Sequence, residues 1–208
     1  QIAAAVSVPV NADGERGYGD AKEIGETVRA LVSVGSAGMN LEDGAPVKKN
    51  EPRGLVDIAE QLEKIAAVMA VKRALGSEFF LNARVDSFMV MTDDPKRALD
   101  EAIRRGNLYA EAGADCIFFL HVSARETIGR LVREIKAPVS ILAGLECPGV
   151  RELQDLGVAR VSYGAAFTRA AITAVKRLAE EIRDSGSITS LKGAISSPEM
   201  RALVSRKK

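Results

Sequence analysis

Short apolar runs alternate with amphipathic segments along the whole chain. The runs Val6–Asp13, Gly38–Glu42, Phe79–Arg84, Cys116–Leu120, Val139–Leu142 and Ala159–Tyr163 are brief and rich in Val, Ile, Leu and Phe. None reads as a clean apolar–polar alternation, which suits strands covered on both faces in a parallel sheet. Ile2 to Val10 reads as the approach to the first strand. Between the runs the apolar period lengthens to that of a helix. Ile24, Val28, Leu31 and Val32 form one stripe, and Ile58, Leu62, Ile65 and Met69 the next. Ile128, Leu131, Val132 and Ile135 form a third, and Ala171, Val175, Leu178 and Ile182 lie on the last long helix.

Helix starts are marked by Asp20 with Glu23 and by Ser123 with Glu126, both capping-box pairs. Asp94-Pro95 adds a cap and first-turn proline, and Pro148 reads as lying just inside a start. Gly76, Gly113 and Gly157 fall where helices should stop. The pattern predicts six successive βα units over residues 1–184, without repeat or linker. A looser tail follows over 185–208, with a short helix over Pro198–Val204. Such α/β alternation is that of a (β/α) barrel or a doubly wound open sheet.

Composition narrows the function classes. Among 208 residues, 29 Lys and Arg stand against 28 Asp and Glu, so no global positive field draws phosphates. Three Tyr, six Phe and no Trp leave few platforms for stacking bases. No stretch approaches the roughly 18 unbroken apolar residues of a membrane span. Two cysteines, Cys116 and Cys147, make no disulfide framework and suit a reducing, cytoplasmic compartment. The reading is a soluble protein with neither nucleic acid nor membrane as partner.

The informative pattern is what ends each strand. Strand one ends in Asp13-Gly14-Glu15, strand two in Glu42-Asp43 and strand three in Arg84-Val85-Asp86. Strand four ends near His121, and strand five near Glu146 and Cys147. In α/β barrels the carboxyl ends of the strands carry the active site. A single acidic residue there is as readily a cap or turn residue, but three successive strands ending in charge make a set. Asp13, Glu15 and Glu42 with water oxygens would suit Mg2+ or Mn2+. Such an ion can chelate a 2-oxo-carboxylate and stabilise an enolate formed there. Arg84 can grip an acid group through two parallel hydrogen bonds. The turn Gly14-Glu15-Arg16-Gly17-Tyr18-Gly19 lets backbone approach a ligand closely, so Tyr18 and Gly19 join Arg84 as candidate substrate-binding residues.

The segments VPVNADGERGYGD, VGSAGMNLEDG, LNARVDSF and AEAGADCIFF, in this order and spacing, resemble the isocitrate lyase and phosphoenolpyruvate mutase superfamily. The later GVARVSYGAAFTRAA resembles its mutase-like branch, and the likeness runs from about Val8 to Ile182. The resemblance implies a (β/α)8 TIM barrel of which this chain supplies strands three to eight. It implies Mg2+ or Mn2+ on Asp13, Glu15 and Glu42, and a substrate-binding Arg84. It implies a lyase or mutase cutting or forming a C–C or P–C bond next to a 2-oxo-carboxylate, through a metal-stabilised enolate. It also implies a homodimer or homotetramer, commonly with the last helix exchanged. Because that barrel has two further βα units upstream, the natural protein is expected to be longer, or another chain to cover the seam.

Departures from the family pattern shape the expectation. The loop GAPVKKNEPRG lacks the Cys and His of the isocitrate-type lyases, which argues against isocitrate cleavage. Lys48 and Asn50 resemble the Lys-x-Asn gate of the phosphonopyruvate enzymes, or are simply solvated loop residues. His121, the only histidine, is either a general acid or base or a hydrogen-bonded loop residue one place out of register. Cys147 reads as packing and Cys116 as core. The expected function is a Mg2+-dependent lyase or mutase acting on a small α-oxo or enol acid. The alternatives are a phosphonopyruvate-type hydrolase or mutase and a non-catalytic α-oxo-acid-binding barrel.

Overall fold

The computed structural model describes residues 1–47, 49 and 52–205, which divide into two compact units meeting at the Ser162–Tyr163 bond. The first unit holds six strands: β1 (Asn11–Asp13), β2 (Gly38–Glu42), β3 (Phe80–Val85), β4 (Cys116–Phe119), β5 (Val139–Leu142) and β6 (Arg160–Ser162). They pair in parallel in chain order, as a curled half-barrel. Between them lie α2 (Ile24–Ser33), α3 (Ile58–Ala74), the short α4 (Ser87–Val90), α5 (Pro95–Glu111), α6 (Arg125–Glu134) and α7 (Val150–Asp155). A single turn, α1 (Ile2–Ala5), opens the chain.

The first strand is shorter than expected, and residues 2–5 are helical. The reason is pairing: β2 begins at Gly38, opposite Asn11, and the Ala37 N–H to Val10 carbonyl bond is the last link before it. Residues before Val10 have no neighbouring strand to bond, and Val6 and Val8 are exposed.

Most of the strands alternate, contrary to the sequence reading, while β4 is apolar and buried throughout, as that reading expected. Met39 and Leu41, Leu81, Ala83 and Val85, Ile117 and Phe119, and Val139 and Ile141 pack with the helices in one core, nearly all without exposure. Each of these side chains larger than Ala83 stabilises the fold by about 1.5–3 kcal/mol. The opposite face carries Asn11 and Asp13, Asn40 and Glu42, Asn82 and Arg84, Ser140, and Arg160, interrupted by the apolar Phe80, Cys116, Phe118 and Leu142. Successive strand residues point to opposite faces. Side-chain bonds from Asn11, Asn82 and Arg160 to Asn40 Oδ1, at 3.0, 2.8 and 3.5 Å, show that these four residues share one. The sheet is thus a parallel wall with an apolar outside and an inside that is polar except chiefly along β4.

Helix signals hold in part. Asp94 accepts from the Arg97 N–H with Pro95 at the first position, and Gly76, Gly113 and Gly157 follow α3, α5 and α7 at φ 57°, 106° and 89°. Asp20 and Glu23 bond each other reciprocally, but α2 starts at Ile24, after their turn. Ser123 caps nothing: α6 starts at Arg125, leaving the hydroxyl a residue too far back. Pro148 precedes the N-cap Gly149.

The second unit contains α8 (Ala166–Ser185), a 3-10 turn (Thr189–Leu191) and α9 (Ser197–Val204), the last with a reciprocal Ser196–Glu199 capping box. No α8 residue is buried, and Phe167, Ile172 and Val175 of its apolar side are exposed. Glu181 gathers the turn, accepting from Ser187 Oγ, the Thr189 N–H and hydroxyl, and the Ser190 N–H. Among the described residues no helix is long and apolar enough to cross a membrane.

Candidate active site

Register sets the site. Asp13 lies opposite Asn40 and Asn40 opposite Asn82, while Glu42 lies opposite Arg84 one step nearer the strand ends. The chain leaving β1 climbs to that level: the Glu42 N–H donates to the Glu15 carbonyl at 2.8 Å. The turn is tight. Glu15 and Tyr18 have φ of 47° and 57°, a left-handed backbone that costs a non-glycine residue energy and clusters at functional sites. Asp13 Oδ1 accepts the Glu15 N–H, and both carboxylates face solvent.

Glu42 and Arg84 form the centre. The Glu42 side chain is 5% exposed, with Arg84 Nη1 2.5 Å from Oε2 and the half-exposed Arg16 guanidinium 3.4 Å from Oε1. Burial pushes its carboxyl up from the ordinary value. Arg84 opposes that rise, while the charges of Asp86 and Glu15 add to it. Arg84 is held from behind by Asp86, through Nε to Oδ1 at 2.6 Å and Nη2 to Oδ2 at 3.0 Å. Burial works against its charge, but the Asp86 bond and the Asp86, Glu42 and Asp13 charges outweigh it, so the guanidinium is held above its usual value.

Behind this pair lies a buried network. Asp43, unexposed, accepts the Asp86 N–H on Oδ1, and Arg105 Nη1 (3.1 Å) and the Tyr109 hydroxyl (2.8 Å) on Oδ2. Arg105 also bonds Glu101 and the Val56 carbonyl. Burial pushes the Asp43 carboxyl up against these donors, and it pushes the Tyr109 hydroxyl up as well. Val56 in turn returns an N–H to the Asp43 carbonyl. The network pins both ends of the loop that follows β2.

The remaining candidates spread out. Tyr18 and Gly19 line a cavity of about 560 Å3 together with Glu15, Arg16, Glu60 and Lys64, a cavity that Glu42 and Arg84 do not line. His121 is exposed in a left-handed turn after β4 (φ 56°), with no hydrogen bond to Glu42 or Arg84. Cys116 is buried in β4, its thiol pushed up to about 11 by burial, and Cys147 lies half-buried in a turn. Lys48 and Asn50 lie outside the described residues. Sequence reasoning named Asp43 and Asp86 at their strand ends without giving them a role, and missed Arg105 and the asparagine belt. A signal was present: Asn11-x-Asp13, Asn40-x-Glu42 and Asn82-x-Arg84 repeat one polar alternation at three strand ends.

The donor set at this mouth is hard oxygen, the type that suits Mg2+ or Mn2+. Asp13 and Glu15 share the electrostatic surroundings of Arg84 and Glu42. Among the described residues, however, no three Asp, Glu, His or Cys side chains gather closely enough to hold a metal directly. The arrangement fits an ion reached partly through water.

Comparison with known proteins agrees with this architecture. Residues 1–183 match the family profile described as phosphoenolpyruvate phosphomutase. An oxaloacetate decarboxylase from Rhodopseudomonas palustris is 30% identical over 99% of this chain and 69% of its own length. A chloroplastic carboxyvinyl-carboxyphosphonate phosphorylmutase from Arabidopsis thaliana is 42% identical over 56% of this chain, and the match spans 34% of that protein's length. The solved phosphoenolpyruvate phosphomutase of Streptomyces platensis superposes with a TM-score of 0.80 at 29% identity, over 96% of this chain and 70% of that one. With the polar barrel mouth, the strand register and the profile match in agreement, the chain belongs to the phosphoenolpyruvate phosphomutase family, within the isocitrate lyase and phosphoenolpyruvate mutase superfamily.

Proposed function

We propose that this chain carries the site of a Mg2+-dependent (or Mn2+-dependent) lyase or mutase acting on a small α-oxo or enol acid, at a C–C or P–C bond next to a 2-oxo-carboxylate. The observation that supports it best is the buried Glu42–Arg84 pair at adjoining strand ends, with Asp13 and Glu15 in the same field. In this reading Asp13, Glu15 and Glu42 would hold the ion, in part through water. When bound, it would supply Lewis-acid polarisation of the 2-oxo group.

The protein's own groups do the rest. Arg84 commits Nε and one Nη2 hydrogen to Asp86, the other Nη2 hydrogen to Met89 Sδ at 3.6 Å and one Nη1 hydrogen to Glu42. In this reading it would meet the acid group of the substrate through its charge and the one N–H left on Nη1. This is the preorganised donor geometry that makes a charge-assisted contact strong. The asparagine belt forms a rigid polar floor beneath the reacting centre, and the strained 13–19 turn fixes the direction of the acidic side chains. The whole protein in this reading is a homodimer or homotetramer, which light scattering would check.

The test is turnover of oxaloacetate, phosphonopyruvate, methylisocitrate and dimethylmalate with and without Mg2+. Glu42→Gln should abolish the metal-dependent rate. Arg84→Lys should raise KM, because an ammonium cannot keep the planar set of bonds to Asp86 and Glu42 that aims the charge at the substrate. Metal-dependent turnover that survives Glu42→Gln unchanged would remove the site assignment. Binding of these acids without any turnover would instead favour a barrel that only binds them.

A further inference from the structure

Asp86 is shared by two guanidinium groups, of which the proposed reaction uses one. It is fully buried, its N–H is tied to Asp43, and Arg84 takes both its oxygens. The second cation is Arg53, from the returning limb of the loop after β2, whose Nη2 lies 3.0 Å from Asp86 Oδ2. The loop is led there by backbone. Ala45 donates to the Gly54 carbonyl at 2.8 Å, Gly44 bridges Leu55, and Val56 is tied to Asp43 and Arg105. Gly44 lies so close to the pair that a Cβ there would fall 2.5 Å from Asp86 Oδ2 and 3.1 Å from Arg53 Nη2. Arg53 Nε is buried without a hydrogen-bond partner among the described residues, and the guanidinium is anchored by Asp86.

We infer that Arg53 is a positioning residue for Arg84: by sharing the Asp86 carboxylate, it weakens the hold of Asp86 on Arg84 and leaves that guanidinium freer to meet the acid group of the substrate. Without Arg53, Glu42, Asp86 and Arg84 carry one uncompensated negative charge and Arg84 is drawn back onto Asp86. Arg53 Nη2 meets the same Asp86 Oδ2 as Arg84 Nη2 and brings these four groups to zero net charge. Arg16, the other cation at Glu42, is farther away and 41% exposed, so it compensates less. Arg53 acts through Arg84 and is given no contact with substrate.

The inference rests on the reading of Arg84 as the substrate's acid-group partner, and the test separates the two. In the full chain with Mg2+ and oxaloacetate, Arg53→Leu should raise KM about ten-fold with kcat within about two-fold, and Arg53→Lys should recover most of the loss. In an Arg84→Lys background, Arg53→Leu should add no further rise in KM. A fall in kcat at constant KM, or effects that multiply, would overturn the inference.

The second measurement needs no substrate. In 15N-labelled protein, solvent exchange of the Arg84 Nε–H should slow several-fold in Arg53→Leu, as Asp86 closes on its remaining partner, and return in Arg53→Lys. Unchanged exchange would overturn the inference. If the wild-type protein fails to turn over oxaloacetate, the functional reading loses that substrate and the exchange measurement decides the role of Arg53 by itself. Should Arg53→Leu fold poorly, Arg53→Gln carries the same expectations.

Discussion

Removing the Arg105 guanidinium tests whether the network behind the site is as strongly coupled as its geometry implies. Arg105→Leu keeps an apolar stem in α5 but leaves Asp43, which has no exposure, without its cation. The Tyr109 hydroxyl and the Asp86 N–H remain as donors, both neutral. Breaking one side of a buried ion pair costs about 3–5 kcal/mol, since the surviving charge stays desolvated. In urea this moves the unfolding midpoint by roughly 1–3 M, followed by far-UV circular dichroism. The pH dependence gives the mechanism. Asp43 already has a folded-state pKa raised by burial, so its neutral form favours the fold. Stability linked to it is present at low pH and lost as pH rises through the folded value. Without Arg105 that value rises further. The cost of Arg105→Leu should therefore be smallest in acid and grow as pH rises through the raised folded value. Asp43→Asn should relieve much of it at neutral pH. A cost below about 1 kcal/mol, or one flat with pH, would refute the claim that Asp43 is a buried charge held by Arg105.

Three further outcomes follow from the same structure. Gly44→Ala should destabilise by about 1–3 kcal/mol in thermal unfolding, because Asp86, held by two arginines, has no room to retreat from the new methyl group; a neutral result would show the 44–55 neck to be pliable. Under native conditions near neutral pH a thiol reagent should label Cys147 first and Cys116 only on unfolding, since burial both covers the Cys116 thiol and raises it to about 11; two fast thiols would contradict this. Glu181 is held well below the usual carboxylate range by bonds from Ser187, Ser190 and Thr189. Its stabilisation of the turn is thus present above the ordinary carboxylate value and lost as pH falls toward the lowered one. Amides of residues 187–191 should lose hydrogen-exchange protection in Glu181→Ala and in strong acid, and protection that survives both would show the turn to be held otherwise.

Much of the architecture was legible because parallel βα units write themselves in period. Gly38–Glu42 and Val139–Leu142 coincide with their strands, and Gly76, Gly113 and Gly157 with helix ends, since a positive φ and a change of apolar period are local signals. The first strand was overdrawn because its length depends on where β2 begins, a fact of pairing and not of the run Val6–Val10. The polar inner face went unread for a related reason. Asn40 and Asn82 look like blemishes in apolar runs until register sets them side by side. The charged strand ends were visible, but sequence could not say which charges meet. Arg53 is 33 residues from Asp86 and Arg105 is 62 from Asp43, so only closure of the βα units brings these pairs together.

The dipeptide Glu42-Asp43 shows how the fold divides labour that a motif leaves merged. At the end of a strand, consecutive side chains leave on opposite sides. Glu42 turns to the polar interior, where Arg84 and Arg16 leave its carboxylate only partly compensated. Asp43 turns to the helical layer, where Arg105, Tyr109 and a backbone N–H saturate it. One acid is kept poised and the other is locked, and the lock includes the N–H of Asp86, the residue that aims Arg84. Exchanging them would therefore fail twice: Glu42-Asp43→Asp-Glu would shorten the reach to Arg84 and force a longer side chain into the closed Arg105 socket. The expected result is loss of both stability and substrate affinity, whereas Glu42→Asp alone should lose affinity and keep the unfolding midpoint. If the two variants had the same midpoint, the separation of a poised acid from a structural one would be wrong.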